Sequence, residues 1–256
     1  MTAGSQNPAV PPQVVPRPPS AVPGVAPPWA DLSSGRRRSL RLSRVVAALG
    51  RAAQTGPPPP PGEDALWVEV FDTAAPAKSA VAAAVLVALF EEGGETRVVL
   101  TRRSSELRSH RGEVSFPGGR IDEGETPQMA ALREATEEVA LDPSTVELSG
   151  WLHPVLTFAS GSLIMPVIGV MAGRPHLVAS PAEVERVFDV ALADLAADGV
   201  FHEERWSVPG RPVPRSADGS FPVWFFESAG EMIWGATARM LYELLSVVLG
   251  VSPTPR

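Results

Sequence analysis

Three neighbouring glutamates are the residues of this chain best suited to do chemistry. Glu134, Glu137 and Glu138 follow Arg133 directly. On a helix with about 100° per residue, Glu134 and Glu138 lie one turn apart and Glu137 flanks the same edge. Like charges at this spacing destabilise a helix unless something neutralises them, and hard divalent cations such as Mg²⁺ bind carboxylate oxygens well. Taken alone, the cluster is more typical of a solvated acidic helix face than of a metal site.

The loop ahead of the glutamates favours a metal site over a solvated face. Gly118 and Gly119 allow the main chain to approach a ligand closely. Glu125 stands eight residues before Arg133, so a loop in front of the helix can bring its carboxylate back onto that guanidinium. Such a contact would fix the orientation of the arginine beside the glutamates.

The whole stretch resembles the Nudix box. That pattern places a glycine, a glutamate, an Arg-Glu pair, a Glu-Glu pair, a second glycine and an apolar residue at fixed spacing. The residues in register are Gly119, Glu125, Arg133, Glu134, Glu137, Glu138 and Leu141. Ala140 stands where the pattern has its second glycine. If that position takes positive φ, alanine costs on the order of 1 kcal/mol there.

The resemblance implies a Nudix fold and hydrolysis of a nucleoside diphosphate linked to another group, with Mg²⁺ or Mn²⁺ as the cofactor. Glu134 and Glu138 would be the chief metal ligands. Glu137 would be a further ligand or would help to activate water, and Arg133 with Glu125 would hold the arrangement. The chemistry agrees, because a metal draws charge off bridging phosphates and lowers the pKa of bound water, whose proton a carboxylate can accept.

A segment directly upstream resembles the signature of the coenzyme A diphosphatase branch of this family. The matching positions are Arg103, Ser104, Leu107, Arg108, His110, Gly112, Val114 and 116–119, and Glu113 replaces a glutamine. The residues that the resemblance implies in substrate binding are Arg103, Arg108, His110, Gly118 and Gly119. The phosphates of coenzyme A offer arginines anionic oxygens for bidentate contacts. Without the family, the arginines are equally well explained as surface counter-charges and His110 as a structural histidine.

Three functions stay open. The first is hydrolysis of coenzyme A or acyl-coenzyme A to adenosine 3′,5′-bisphosphate and (acyl-)4′-phosphopantetheine. The second is the same reaction on another nucleoside diphosphate derivative, such as ADP-ribose or NADH. The third is a catalytically silent Nudix-fold binding module. The complete set of carboxylates argues against the third function, and the arginine-histidine segment favours the first over the second.

Composition limits the site and its surroundings. The chain has no cysteine, which excludes disulfides and thiolate metal ligands, so a metal must bind oxygen or imidazole. No segment reaches the roughly 18 apolar residues of a membrane span, and no targeting signal is evident. We therefore expect a cytoplasmic protein with a small-molecule substrate and no membrane partner, and a homodimer is left open.

Hydrophobic periodicity predicts the elements that must position these groups. The predicted strands are 81–90, 97–101, 146–152, 163–171 and 224–227, and the predicted helices are 126–139, 182–195 and 233–249. This mixture favours an α/β (α+β) class, and the resemblance implies an α/β/α sandwich with a mixed sheet. Glu183 and Glu185 are further candidate metal ligands. However, Ser180 and Glu183 form a capping box with Pro181 at the first helical position, which favours a cap.

The N-terminal quarter differs in composition from the rest. We expect residues 1–62 to be a proline- and arginine-rich arm, residues 63–250 the Nudix hydrolase domain and residues 251–256 a tail. The arm carries seven arginines against one acid and lacks hydrophobic periodicity outside a short helical stretch near 40–49, so it is predicted to be largely disordered. No aromatic residues interleave with its arginines, which argues against a nucleic-acid partner. Deletion of the arm is expected to leave kcat/KM within a few-fold of the value for the full-length protein.

Overall fold

A hairpin of two long apolar strands forms the centre of the fold. The computed structural model describes residue 13 and residues 15–52, 81–107, 110–157, 161–207 and 219–252. Strands Val81–Glu92 and Glu95–Arg103 pair antiparallel through the turn Gly93-Gly94, where both glycines take positive φ. All side chains from Ala84 to Phe90 are buried, because both faces of this strand are covered.

The remaining elements are labelled in chain order. The strands are β1 (Val22–Pro23), β2 (Val81–Glu92), β3 (Glu95–Arg103), β4 (Val114–Ser115), β5 (Gly118–Arg120), β6 (Glu147–Trp151), β7 (Val155–Leu156), β8 (Ser162–Val170), β9 (Val184–Ala191), β10 (Phe201–Trp206), β11 (Phe221–Ser228) and β12 (Glu231–Trp234). The helices are α1 (Ser34–Arg38), α2 (Leu42–Ala52), α3 (Pro127–Val139), α4 (Leu192–Leu195) and α5 (Gly235–Leu249), with a 3₁₀ turn at Pro143–Thr145.

The main sheet is mixed, as predicted. Its order is β4-β3-β2-β8-β6, with β5 paired to β2, β7 to β8 and β9 to β3. Strands β2 and β8 run parallel, and the other pairs are antiparallel. Helices cover both faces, which gives the predicted α/β/α sandwich.

Strand β2 divides the core into two layers. Ala84, Leu86 and Ala88 pack with the buried alanines of α3, whereas Val85, Val87 and Leu89 pack with the apolar residues of α2 and α5. Successive side chains of a strand point to opposite faces, so one strand can anchor both helical layers. The small side chains under α3 let that helix lie close to the sheet.

The predicted helix over 182–195 is wrong for most of its length. Residues 184–191 form β9, which pairs with β3, and only Leu192–Leu195 is helical. The apolar spacing of this segment fits a helix as well as a strand, and pairing with the buried β3 decides for the strand. The capping interpretation of Ser180 and Glu183 fails with the helix, because residues 181–183 form a turn.

A second sheet of four antiparallel strands was not predicted as a unit. Its order is β1-β10-β11-β12, and only β11 was expected from the sequence. Strand β10 includes the polar run His202-Glu203-Glu204-Arg205, which gives little hydrophobic signal. Phe201, Phe226 and Ile233 attach this sheet to the core beside α5.

The expectation of a largely disordered arm is corrected for residues 15–52. Trp29 is 1% exposed and its ring contacts those of Phe201, Phe226 and Tyr242. Helix α2 also places Val45 and Leu49 in the core. A few well-spaced apolar residues suffice to bury such a segment, however many prolines flank it. Residues 53–80, which include the proline run and the expected domain start at residue 63, lie outside the described residues, so the domain boundaries stay a prediction.

Within the described ranges, no helix combines the length and the apolar character needed to cross a membrane.

Candidate active site

Helix α3 carries the glutamate cluster and has well-defined ends. The Thr126 hydroxyl accepts a hydrogen bond from the Met129 amide, with Pro127 at the first helical position. Ala140 ends the helix in the left-handed conformation, with φ 53°, and its amide donates to the Thr136 carbonyl. Ala140, at the position where the Nudix box has its second glycine, therefore does take positive φ and bears the expected strain.

Arg133 is the organising residue of the cluster. Its Nε and Nη2 donate to the two oxygens of Glu125 at 2.7 and 2.9 Å, and Nη2 also donates to the Arg120 carbonyl. Its Nη1 lies 3.0 Å from Glu134 Oε1 and 3.2 Å from Glu137 Oε2. The bidentate contact and the Asp122 amide lower the pKa of Glu125 to about 2. The predicted Glu125–Arg133 contact is thus present.

Glu134 lies directly against the main chain of Gly119. A Cβ on Gly119 would stand 2.4 Å from Glu134 Cδ and Oε1. Burial raises the pKa of Glu134 above its ordinary value, and Arg133 opposes this shift. The absence of a side chain at position 119 is therefore what allows a carboxylate to reach the end of the sheet.

Glu138 is the most deeply buried of the three glutamates, with 2% of its surface exposed. Its Oε2 accepts from the Gly118 amide at 3.1 Å, and its Oε1 lies 3.5 Å from Arg103 Nη1. Burial raises its pKa to about 7, with Glu134 adding to the effect. Glu137, in contrast, has a side chain that is 59% exposed.

Gly118 holds this end of the loop on the sheet. It pairs with Val85 of β2, and a Cβ there would stand 2.4 Å from the Ala84 carbonyl oxygen. The Gly118-Gly119 pair thus has two separate roles. The first glycine fits against the β2 backbone, and the second leaves room for Glu134.

Glu183 is a candidate site residue. The sequence argument explained it as part of a helix cap, and that explanation is wrong. Its charge raises the pKa of both Glu134 and Glu138, so it lies near them. Its segment is tied to α3 because the Ser180 amide donates to the Glu138 carbonyl at 2.8 Å. Glu185, the other candidate ligand, instead accepts from Arg102 at 3.2 Å.

The predicted substrate-binding residues are brought together only in part. Arg103, Gly118 and Gly119 all lie at Glu134 and Glu138. His110 has φ 56° and its Nδ1 lies 2.8 Å from Glu113 Oε2, so the departure from glutamine at position 113 supplies a partner for the imidazole. Arg108 lies outside the described residues.

The residues that would hold a divalent metal suit a hard cation, although they do not form a complete set of metal ligands. Among the residues that the structure describes, no three carboxylate or imidazole groups converge on one point. Arg133 contacts Glu134 and Glu137, and Arg103 lies beside Glu138. Mg²⁺ typically binds only a few protein carboxylates together with substrate phosphates and water. The crowded carboxylates, one of them nearly buried, fit such a shared site.

Comparisons with known proteins show the family to which this chain is similar. The NUDIX domain family model matches residues 80–207. Nudix hydrolase 15, mitochondrial, of Arabidopsis thaliana is 39% identical over 175 residues, which cover 64% of this chain and 58% of the relative. A Nudix hydrolase NudL of Escherichia coli strain SMS-3-5 is 38% identical over 172 residues, which cover 67% of this chain and 84% of the relative. A solved MutT/nudix family protein from Enterococcus faecalis is 14% identical to this chain, with a TM-score of 0.40, which is a weak likeness. The match covers 84% of this chain and 69% of that protein.

This chain belongs to the Nudix family, whose members act on phosphoric anhydrides. The resemblance drawn from the Nudix box is thereby confirmed at the level of the family. The chain spans somewhat more than half of the Arabidopsis relative's length. The coenzyme A diphosphatase branch stays a prediction.

Proposed function

We propose that this protein is a metal-dependent hydrolase that cuts the diphosphate bond of coenzyme A or acyl-coenzyme A. The products would be adenosine 3′,5′-bisphosphate and (acyl-)4′-phosphopantetheine. The observation that carries the proposal is the contact between Arg103 and Glu138, at 3.5 Å. It joins the upstream segment that resembles the coenzyme A branch to the carboxylates that resemble the Nudix box.

The proposed roles follow from the burial and partners of each group. Glu134 and Glu138 would hold Mg²⁺ or Mn²⁺, and Glu183 is a candidate further ligand on a neighbouring segment. When bound, the cation would draw charge from the bridging phosphates and lower the pKa of a nearby water. Exposed Glu137 would hold the metal or accept the proton of the attacking water, while Arg133 and Glu125 keep the glutamates in place.

Arg103 is proposed to bind phosphate oxygens of the substrate. Its side chain is 27% exposed, and its Nε is buried without a hydrogen-bond partner among the described residues. A guanidinium with donors to spare suits a phosphate, which accepts two parallel hydrogen bonds. Arg108 and His110 belong to the same segment and are proposed to contribute further contacts.

A substrate panel with product identification tests the proposal. Coenzyme A, dephospho-coenzyme A, ADP-ribose and NADH would be compared with Mg²⁺ and with Mn²⁺, and the products would be identified by mass spectrometry. We expect kcat/KM for coenzyme A to exceed that for dephospho-coenzyme A on the order of 10-fold, because one charged hydrogen-bonded contact to the 3′-phosphate is at stake. A higher value for ADP-ribose or NADH would replace the proposal with the second function.

Variants of two arginines make this panel sharper. Arg103→Lys should reduce the preference for coenzyme A over dephospho-coenzyme A, since lysine lacks the bidentate geometry. Arg174→Lys is the matched control, because Arg174 is an exposed arginine that pairs with Glu92 and Asp189 away from the glutamate cluster. Absence of turnover on all four compounds, with either metal, would favour the silent binding module.

The cytoplasmic location expected from the sequence stays a prediction, and a homodimer stays open. The printed names of two Arabidopsis relatives include mitochondrial and chloroplastic locations. Cell fractionation and analytical ultracentrifugation of this chain would decide both points.

A further inference from the structure

Two adjacent arginines on β3 are aimed in different directions. Arg103 meets Glu138 of α3, whereas Arg102 is 6% exposed and meets Glu185 and Glu231. The register of β3 against β9 shifts between these two residues, so that Glu185 is the extra residue on β9. Such bulges occur next to functional sites, where they redirect side chains.

Arg102 is held by two carboxylates from different sheets. Glu185 Oε2 on β9 accepts from its Nε at 3.2 Å, and Glu231 Oε2 on β12 accepts from its Nη1 at 2.6 Å. The Glu231 side chain is only 5% exposed, and its second oxygen accepts from Arg186 at 3.1 Å. Removing one member of a buried ion pair leaves an uncompensated charge, so each member strongly constrains the others.

The turn of the upstream segment rests on the Arg102 guanidinium. Gly112 has φ 65°, and a Cβ there would stand 3.3 Å from Arg102 Nη2. The Gly112 amide donates to the Arg103 carbonyl at 3.2 Å, and the Arg103 amide donates to the Glu113 carbonyl at 2.9 Å. The main chain that carries His110 and Glu113 is therefore fixed to both arginines.

Strand β12, which supplies Glu231, lies beyond the region that matches the family. That match ends at residue 207, and β12 spans Glu231–Trp234. The buried Glu231 side chain of the second sheet thus connects this later part of the chain to Arg102.

From these contacts we infer that Arg102 and Glu231 are positioning residues, through which the second sheet fixes residues 110–113 for substrate binding. The role in substrate binding rests on the proposed function, but the positioning itself is a property of the fold. Arg102 pairs with Glu185 and Glu231, whereas Arg103 is the arginine that lies beside Glu138. Arg102 and Glu231 act on KM through the segment and leave the carboxylates that would support kcat in place.

Hydrogen exchange measures the positioning without any assumption about the substrate. In Glu231→Gln, we expect the amides of 103–113 to exchange on the order of 10-fold faster, while those of β2 and β8 keep their protection. Glu185→Gln is a milder second variant, because the Glu185 side chain is 25% exposed. Unchanged exchange of 103–113 in the variant that folds would overturn the inference.

Kinetics on coenzyme A then measure the consequence for binding. We expect Glu231→Gln to raise KM on the order of 10-fold with kcat within about 2-fold, since the segment is misplaced while the carboxylates are not. Val223→Ala is the matched control, because Val223 is buried in the same sheet, where it pairs with Glu204 of β10. An equal rise of KM in Val223→Ala would reduce the effect to general loosening of the sheet and overturn the inference.

The two proposals fail in distinguishable ways. If the wild-type protein hydrolyses none of the diphosphates, the proposed function fails, and hydrogen exchange still decides whether Glu231 positions the segment. If the wild-type protein hydrolyses coenzyme A and Glu231→Gln speeds exchange without changing KM, the function stands and the role in substrate binding is overturned.

Discussion

The carboxylate of Glu134 lies where a side chain of Gly119 would begin. A Cβ at position 119 would stand 2.4 Å from Glu134 Oε1, well inside van der Waals contact. Only glycine lets the helix glutamate reach the end of the main sheet. The neighbouring Gly118 is constrained mainly by the β2 backbone, because a Cβ there would stand 2.4 Å from the Ala84 carbonyl oxygen and 2.6 Å from Val85 Cα.

This difference predicts opposite outcomes for two alanine variants. Gly119→Ala should fold, because the flexible Glu134 side chain can swing away, but kcat should fall at least about 10-fold since misplacing a catalytic group by about 1 Å is costly. Gly118→Ala should instead lower the melting temperature, because its Cβ would meet the Ala84 carbonyl. Equal activity of Gly119→Ala and wild type would show that the Glu134 carboxylate is not needed there.

Neutralising the glutamates that are proposed to bind the metal should remove most of kcat without unfolding the protein. Glu134→Gln and Glu138→Gln should each lower kcat on the order of 100-fold at saturating Mg²⁺, the usual scale for one electrostatic group in an active site. Glu138→Gln should be at least as stable as wild type, because a buried carboxylate is costly to ionise and glutamine can still accept from Gly118. Thermal unfolding and steady-state kinetics test both statements.

The control for these variants is Glu147→Gln, an exposed glutamate on β6. It should keep wild-type kcat and melting temperature. Near-wild-type turnover of both helix variants at saturating metal would contradict the assignment of the ligands.

The Glu125–Arg133 contact should make stability depend on acid pH. The pKa of Glu125 is lowered to about 2 in the folded protein, against an ordinary value of 4.5. Because the pKa is lower in the folded state than in the unfolded state, the ionised Glu125 carboxylate stabilises the folded protein at pH values above the unfolded pKa. This contribution is lost as the pH falls from about 4.5 towards 2. The difference in unfolding free energy between wild type and Glu125→Gln should shrink over that window, measured by urea unfolding. A difference that is independent of pH would contradict this linkage.

The N-terminal segment should be needed for stability. Trp29→Ala should cost about 3–5 kcal/mol, because it removes a buried ring from the contacts with Phe201, Phe226 and Tyr242. Deletion of residues 1–62 should lower the melting temperature further, contrary to the expectation from composition. Val25→Ala is the control, since Val25 is 39% exposed. A truncated protein with wild-type stability would show that the segment is dispensable after all.

The sequence determined the parts of this protein whose signal is local. Fixed spacing along one helix placed Glu134 and Glu138 on a common edge, and periodicity predicted that helix over 126–139, close to the observed Pro127–Val139. Apolar runs identified β2, β3 and β8, and the Nudix box identified the family. These features depend on neighbours in the chain, and residues within a few positions of each other carry that information.

Tertiary structure decided the features that depend on distant partners. Residues 184–191 have an apolar spacing compatible with a helix and became a strand because β3 offers a buried edge. Trp29 lies in a composition typical of disorder and became core because β10, β11 and α5 leave an aromatic pocket for it. Glu183 and Arg102 acquired their neighbours in the same way. Their contacts join residues far apart in sequence, and the free energy of such contacts arises only when the sheets assemble.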